Sequence, residues 1–251
     1  MLTRRIIPVI LLNNGMVVQT RNFRITNIIH TIPAFAIKFF GSWNADEIII
    51  SDISKKKNKK VFHDSIKKIT EECFVPITVG GCIYDSKDIE TLLKVGADKV
   101  IINGGAHSNK EFVKQAVHTF GSQCIVASID YKTYSKNKKV FIHNGEYNTN
   151  LDPQDWYMKL KDDGAGEFFF NSIDNDGTDS GFDYKFVDNI QKEGDPPIIV
   201  FGGGHCAKNF IDVLVNTNIN SIAAANIFHY SEGSIIKLKN QIRKEYSNIR
   251  L

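Results

Sequence analysis

The sequence has few cysteines and no long apolar run. Its four cysteines are scattered without a Cys-x-x-Cys pair, which predicts reduced thiols in a cytoplasmic protein rather than a disulfide scaffold. No apolar stretch approaches the roughly 18 residues that a membrane-spanning helix needs. The N-terminus carries charge at once, in Arg4 and Arg5, where a signal peptide would be apolar. We therefore expect a cytoplasmic protein that does not enter a membrane.

The sequence also lacks a strong excess of either charge. It has 31 Lys and Arg against 28 Asp and Glu, a net charge of +3. This imbalance is too small to indicate nucleic-acid binding, although it suits a phosphorylated small-molecule substrate. With 251 residues, 42% of them apolar, the chain can bury one large α/β core or two small ones. No linker-like segment interrupts it, so we predict one domain over residues 1–251.

What the sequence does contain is a repeating alternation of short apolar runs and polar segments of helical length. The polar segments 86–97, 108–120 and 206–218 place apolar residues three or four apart, as amphipathic helices do. Eight such strand candidates with helices between them predict a single (β/α)8 TIM barrel rather than an open sheet. The eight predicted strands are 5–12, 47–53, 76–81, 99–104, 124–130, 167–173, 197–203 and 221–227.

The two halves of the chain repeat each other at a spacing of about 120 residues, which predicts a two-fold half-barrel repeat. The matching positions are Gly80-Gly81 with Gly202-Gly203, Asn103 with Asn226, Asp52 with Asp174, and Leu11 with Asp130. In a barrel of this kind the site lies where the strands end. Two glycine-rich strand ends, each followed one strand later by asparagine, expose backbone N–H groups that favour phosphate. We predict two phosphate sites, one at Gly81, Cys82, Asn103 and Gly104, the other at Gly203, Gly204 and Asn226.

Asp130 ends an apolar strand and is the best candidate for general acid–base chemistry. Lys132 follows on the same side of the extended chain. An alternative is that Asp130 caps a turn before a hairpin-like insert over 131–148. The segment 174–181, DNDGTDSG, fails the EF-hand spacing and lacks its final glutamate, so we predict no metal there. Its Asp174, Asp176, Gly177 and Thr178 are assigned to substrate binding from their place after a strand.

Charged residues also begin four of the strands, at the opposite end of the barrel: Arg5, Glu47, Lys99 and Glu167. By the two-residue period of a strand, Arg5 shares a face with Leu11, Lys99 with Asn103 and Glu167 with Asn171, which allows the four charges to point inward as a neutral ring. Surface ion pairs at strand starts are the commoner outcome. The lysine-rich run 55–60 is interpreted as a solvated loop, with phosphate steering or loop closure as the alternative.

With these residues in view, the whole chain resembles the cyclase subunit of imidazole glycerol phosphate synthase. The motifs that carry the resemblance are RRII (4–7), TVGG (78–81), GADKVIIN (96–103), FGSQ (120–123), ASID (127–130), GAGE (164–167), SIDNDGTDSGFD (172–183), GGG (202–204) and IFH (227–229). That family is a (β/α)8 barrel. It takes ammonia from a glutaminase subunit docked on the bottom of the barrel and uses it to cleave and cyclise a bisphosphorylated ribulosyl intermediate.

The resemblance implies roles for particular residues. The ring of four charges matches the family's ammonia gate, and Asp98 falls where the family contacts its glutaminase. Both phosphate sites match in outline, and neither a cofactor nor a metal is implied. The implied protein is an ammonia-dependent synthase subunit of the lyase or cyclase type, working as a heterodimer with a glutaminase.

Two positions depart from the family. Leu11 stands where the family has the second of two facing aspartates, and Gln19 stands where it has a lysine. Leucine cannot exchange a proton, and losing one member of an acid–base pair costs about 10²- to 10⁴-fold in rate. The departure favours a divergent relative that serves acetamidino-sugar synthesis for surface polysaccharides or flagella, with a sugar amidotransferase as a further partner. The alternatives are a true histidine-pathway cyclase, and a noncatalytic subunit that activates the glutaminase and conducts ammonia.

Overall fold

The structure is a computed structural model that describes residues 4–33, 40, 44–56 and 58–249. Eight parallel strands close into a barrel: their hydrogen-bonded order runs unbroken from the sixth strand through the eighth and the first to the fifth, and the sixth strand also pairs with the fifth. The predicted (β/α)8 fold is confirmed, and all eight predicted strands are present. They are β1 (Arg5–Asn13), β4 (Ile48–Asp52), β5 (Ile77–Gly80), β6 (Lys99–Ile102), β7 (Ile125–Tyr134), β10 (Glu167–Ser172), β11 (Ile198–Phe201) and β12 (Ser221–Ala224).

Helices pack around this barrel. The three predicted helices exist but are shorter than their sequence patterns; the first of them, over Ser86–Lys94, ends before Gly96 at φ +106°. None of the helices in the described part combines the length and hydropathy needed to cross a bilayer. Among the described residues the α-helices are α1 (Lys59–Thr70), α2 (Ser86–Lys94), α3 (Gly104–Ser108), α4 (Phe112–Phe120), α5 (Pro153–Asp162), α6 (Tyr184–Ile190), α7 (Ala207–Asn216) and α8 (Ser234–Arg243), with 3₁₀ turns at Ser122–Cys124 and Asn226–Phe228.

Two antiparallel additions rise from the barrel. The segment after β1 forms a hairpin of β2 (Met16–Arg21) and β3 (Arg24–His30), which the sequence did not predict. The insert over 131–148 forms the expected hairpin, in which β7 continues into β8 (Asn137–Ile142) and β9 (Tyr147–Asn148). Because β7 runs on to Tyr134, the prediction that Asp130 ends its strand was wrong.

The lysine-rich run is only partly the predicted loop. Lys55 is exposed and pairs with Glu146 at 2.6 Å, whereas Lys59 and Lys60 already belong to α1 and Lys57 lies outside the described residues. Asn58 caps α1 by accepting a hydrogen bond from the backbone N–H of Val61 at 3.1 Å. The Asn58 cap sets the start of α1 at Lys59, and the charge pattern of the run does not indicate it.

The barrel sheet has an inner and an outer apolar layer, and strand alternation separates them. In β1, Ile7, Val9 and Leu11 join the inner cluster, while Ile6 and Ile10 join the outer cluster against the helices. A polar side chain at an odd position of β1 therefore enters the barrel.

A buried ion pair ties the last helix to the bottom of the barrel. Lys239 Nζ of α8 lies 2.9 Å from Asp46 Oδ1 and 2.7 Å from the carbonyl oxygen of Asn44. Asp46 Oδ2 accepts a hydrogen bond from the backbone N–H of Ile6 at 2.8 Å. Both side chains of the pair are 2% exposed, so neither can be rehydrated if its partner is lost.

Lys239→Met should lower the free energy of unfolding by about 3–5 kcal/mol, because it removes a buried cation that lies 2.9 Å from the buried carboxylate of Asp46. Urea unfolding followed by circular dichroism measures the change. Lys208→Met, which removes an exposed lysine paired with Asp212 on α7, should change stability by less than about 0.5 kcal/mol. Equal effects of the two variants would contradict the proposed importance of the buried pair.

Candidate functional site

Four charged side chains form a closed ring inside the N-terminal end of the barrel. Arg5 bridges the two carboxylates, Glu47 at 2.6 Å and Glu167. Lys99 bridges the same carboxylates from the other side, at 3.0 Å and 2.7 Å. Thr78 adds a hydrogen bond to Glu47 Oε1 at 2.5 Å. The predicted inward ring is therefore present, and the alternative of separate surface pairs was wrong.

The ring is stable because its charges alternate and cancel. The carboxylates are almost fully buried, with side-chain exposures of 3% for Glu47 and 7% for Glu167, and buried carboxylates need such partners. Burial alone would lower the pKa of Arg5, yet the two carboxylates outweigh it and raise that pKa. The cations keep about a fifth of their surface exposed, so the ring meets solvent at the barrel bottom.

Above the ring the barrel interior is apolar. Ile7, Ile49, Ile101 and Phe169 belong to one buried inner cluster with other strand residues. Phe169 stacks on Phe201 with ring centroids 5.3 Å apart. A small neutral molecule would cross this layer far more easily than an ion, since an ion would lose its hydration without gaining a partner.

At the C-terminal end of the barrel a cavity of about 210 Å³ opens around Asp130. Asn103 Nδ2 donates to Asp130 Oδ2 at 2.7 Å, and Ser128 Oγ donates to Oδ1 at 2.9 Å. Burial nevertheless dominates and raises the pKa of Asp130 to about 6, against the lowering effect of these donors and of Asn171. A carboxyl poised near neutrality is suited to proton transfer.

Leu11 lines the same cavity, 7% exposed, on the inner face of β1. It pairs with Val18 of β2 and with Ser51 of β4. The side chain is therefore directed at the site, where it offers an apolar surface and no exchangeable proton.

A second cavity of about 210 Å³ adjoins the first, sharing Asp176 and Phe201 with it. Gly203, at φ +97°, has no side chain, so neighbouring backbone can lie close to it in this cavity. Gln19 also lines this cavity and accepts a hydrogen bond from the hydroxyl of Tyr230. The predicted substrate residues that line it are Asp176, Gly177, Thr178, Gly203, Gly204 and Asn226.

The first cavity collects the other predicted phosphate residues. Gly81, Cys82, Asn103 and Gly104 all line it. Gly81 adopts φ +121°, and a Cβ there would lie 2.8 Å from the carbonyl oxygen of Asp52, so only glycine fits. The two halves of the barrel thus place the two predicted phosphate sites in neighbouring cavities, while phosphate binding itself stays a prediction.

Two predicted residues lie away from both cavities. Asp174 is exposed, and its carboxylate accepts a hydrogen bond from the backbone N–H of Thr133 at 2.8 Å. Lys132 turns toward the insert, donating to the carbonyl oxygen of Gly145 at 3.2 Å and lying 4.1 Å from the ring centroid of Phe141. Both residues support the insert hairpin because β7 continues past Asp130.

The sequence analysis assigned no site role to several side chains of the first cavity. Asn171, four residues after Glu167, was placed on an inward face but not in the site, and Ser128, two residues before Asp130, follows from the same strand alternation. His143 and Tyr84 also line the cavity. They lie on loops, and no local pattern indicates where those loops fold back.

Asp98 lies at the bottom of the barrel, exposed, beside the ring residue Lys99. Its Oδ2 accepts a hydrogen bond from the backbone N–H of Ile77 at 2.7 Å. Asp46 makes the same contact with Ile6 at 2.8 Å. Both aspartates hold the start of a neighbouring strand, although only Asp98 is presented to solvent.

These features define a (β/α)8-barrel enzyme subunit with a charged ring at one end and an acidic double cavity at the other. The model of the family described as histidine biosynthesis protein matches residues 5–234. The chain is 37% identical over 255 residues to imidazole glycerol phosphate synthase subunit HisF of Clostridium botulinum (strain 657 / Type Ba4), 37% over 252 residues to that of Flavobacterium psychrophilum, and 35% over 253 residues to that of Bacillus cereus (strain Q1). Each match covers all of both chains. The chain therefore belongs to the histidine biosynthesis protein family and is a HisF-like synthase subunit.

The pKa of Asp130 has a consequence for stability. A folded-state pKa of about 6, above the unfolded value of about 3.9, means that the native state binds this proton more tightly. The resulting stabilisation is complete below about pH 4 and is lost as the pH rises through about 6. Asp130→Asn has no carboxyl proton to lose. The free energy of unfolding of this variant, relative to that of wild type, should therefore rise by up to about 3 kcal/mol between pH 4 and 7.5.

Urea unfolding at both pH values measures the difference. Asp155→Asn, at an exposed position on α5, controls for the removal of one carboxylate. A relative stability of Asp130→Asn that does not change with pH would show that this pKa is not raised.

Proposed function

We propose that this chain receives ammonia from a glutaminase subunit at the barrel bottom and delivers it to a phosphorylated acceptor at the mouth. The acceptor is a sugar-type molecule other than the ribulosyl intermediate of histidine synthesis, and the pathway is acetamidino-sugar synthesis for a surface polysaccharide or flagellar glycan. The observation that carries this proposal is the combination of an intact charged ring with Leu11 in the place of a proton-transfer group.

The ring and the apolar layer support ammonia transfer. Ammonia released at the bottom would enter through the ring by displacing one arm of Lys99 or Arg5, each of which has some solvent exposure. The apolar layer then favours neutral ammonia over ammonium. Transfer inside the barrel also protects ammonia from protonation in bulk water.

At the mouth, Asp130 is the group that moves protons. Above about pH 6 it is ionised and can accept the proton that nitrogen releases when it bonds to an electrophilic carbon. The donors Ser128 and Asn103 orient the carboxylate. Phosphate groups held in the two cavities would fix the acceptor over this carboxylate.

Leu11 supports an altered acceptor. A reaction that needs one acid and one base on opposite sides of the substrate loses one of them here. A reaction that needs only one proton-transfer group would instead tolerate an apolar wall facing Asp130. Gln19, which accepts a hydrogen bond from Tyr230 in the second cavity, also supports an altered acceptor. It places a neutral amide where the family has a cation.

A histidine-pathway cyclase is the second candidate. The full-length identity of 35–37% to HisF subunits favours it. In this case another group, such as Asn13 or a bound water, takes the place of the missing acid. The two candidates differ in what Leu11 does to the rate.

Wild-type protein given saturating ammonia and the bisphosphorylated ribulosyl intermediate should turn it over at least about 10²-fold more slowly than a HisF subunit with the aspartate. Leu11→Asp should recover part of that rate, because its carboxylate would enter the cavity of Asp130. The measurement is steady-state formation of imidazole glycerol phosphate. Leu11→Asn, of similar shape but unable to exchange a proton, should recover nothing. Wild-type turnover near the rate of a HisF subunit would instead support the histidine pathway.

Asp98→Asn should weaken binding of the glutaminase subunit without unfolding the barrel bottom. The amide oxygen can still accept the hydrogen bond from Ile77, so only the exposed charge is removed. Co-purification and glutamine hydrolysis measure the effect, with Asp155→Asn, at an exposed position on α5, as the control. Unchanged binding and hydrolysis would show that the partner docks elsewhere.

A further inference from the structure

Tyr84 lines the first cavity beside the predicted phosphate residues Gly81 and Gly104. Neither the family resemblance nor the half-barrel repeat indicates a role for it. It follows the loop that leaves β5 and lines the cavity together with Gly81, Cys82 and Gly104. Its backbone N–H donates to Asp88 Oδ2 at 3.0 Å, and Asp88 is in turn paired with Lys59. The loop is therefore anchored, and the position of Tyr84 is set by buried contacts on α2.

The tyrosine hydroxyl lies directly over the backbone of Gly104. A Cβ built on Gly104 would be 3.2 Å from Tyr84 Oη but 3.7 Å from Cε1 and 3.8 Å from Cζ. The hydroxyl oxygen is therefore the nearest atom to a Cβ at position 104, at a distance tighter than most Cβ contacts, whereas the ring carbons are at ordinary contact distance. We call Gly104 and the Tyr84 hydroxyl the matched pair, because a side chain at position 104 would press against Oη.

In the described part of the chain, no hydrogen bond engages this hydroxyl, and Tyr84 is 41% exposed toward the cavity mouth. Partial burial raises the pKa of the phenol above its ordinary value, so it remains protonated at neutral pH. Within the described residues it is thus an O–H donor without a protein acceptor, in the cavity that carries the backbone turn of Gly81 and Cys82. An O–H donor with this placement suits an anionic oxygen.

We propose that the Tyr84 hydroxyl donates a hydrogen bond to a phosphate group of the acceptor bound at Gly81 and Gly104, and that Gly104 has no side chain in order to admit it. The inference rests on the proposed function, in which this cavity holds a phosphorylated acceptor. It adds a side-chain hydrogen-bond donor to a site whose predicted phosphate ligands are mainly backbone N–H groups.

Inorganic phosphate is the probe, because it tests the site without the acceptor. Titration of the ¹⁵N-labelled chain with potassium phosphate is followed at the backbone amides of Gly81 and Gly203, which report the first and second cavities separately. Tyr84→Phe should weaken binding at Gly81 by about tenfold, as expected for a lost hydrogen bond to a charged group, and leave Gly203 unchanged. Tyr134→Phe, which removes an exposed tyrosine hydroxyl on the insert, should change neither.

A rescue experiment separates a ligand from a structural role. Gly104→Ser alone should weaken binding, because its Cβ crowds Tyr84 Oη. The double variant Tyr84→Phe with Gly104→Ser should regain most of the lost affinity. Removing Oη makes room for the serine side chain, whose hydroxyl can then donate to the phosphate in its place. Failure of the double variant to bind better than Tyr84→Phe would overturn the matched pair.

The remaining outcomes distinguish this inference from the function on which it rests. If wild type responds at Gly81 and Tyr84→Phe binds equally well, the role of Tyr84 is wrong and the phosphate site stands. If wild type responds at neither Gly81 nor Gly203, the phosphorylated acceptor itself is wrong, and the role of Tyr84 is rejected with it.

Discussion

Closure of the parallel barrel is the constraint on which every other feature depends. β10 must hydrogen-bond to both β7 and β11, and this pairing directs alternate side chains of all eight strands into one narrow interior. Polar side chains at those inward positions therefore contact one another. At the N-terminal end they are Arg5, Glu47, Lys99 and Glu167, and they neutralise one another. At the C-terminal end the strands open, and the inward positions become a site.

The buried carboxylates at the two ends of the barrel have different partners. In the ring, Glu47 and Glu167 each meet both cations. At the mouth, Asp130 receives only neutral donors and Asp176 receives the backbone N–H of Phe23 at 2.9 Å. Burial therefore raises the pKa of both mouth carboxyls. The charges at one end of the interior cancel, while the other end holds Asp130, whose proton can move near neutral pH.

Several of these features follow from sequence pattern, because they depend on local periodicity. The eight apolar runs predict the strands, and the two-residue period places Arg5, Lys99 and Glu167 inward. The position of Leu11 on an inner face follows from the same rule. The hairpin of β2 and β3 was not predicted, because its short runs around Asn22 and Phe23, both in left-handed conformations, resemble an ordinary loop.

What the sequence determined by itself was the fold, its family and the identity of the inward residues, since covalent order and alternation are enough for these. Tertiary structure alone decided which charges meet. The four ring charges come from positions up to 162 residues apart in the chain, and only barrel closure brings them within hydrogen-bonding distance. It also decided that Lys132 and Asp174 leave the site, because β7 runs past the barrel rim, and that Tyr84 reaches Gly104. Such contacts depend on where separate loops cross in space, and no local interaction along the chain encodes that distance.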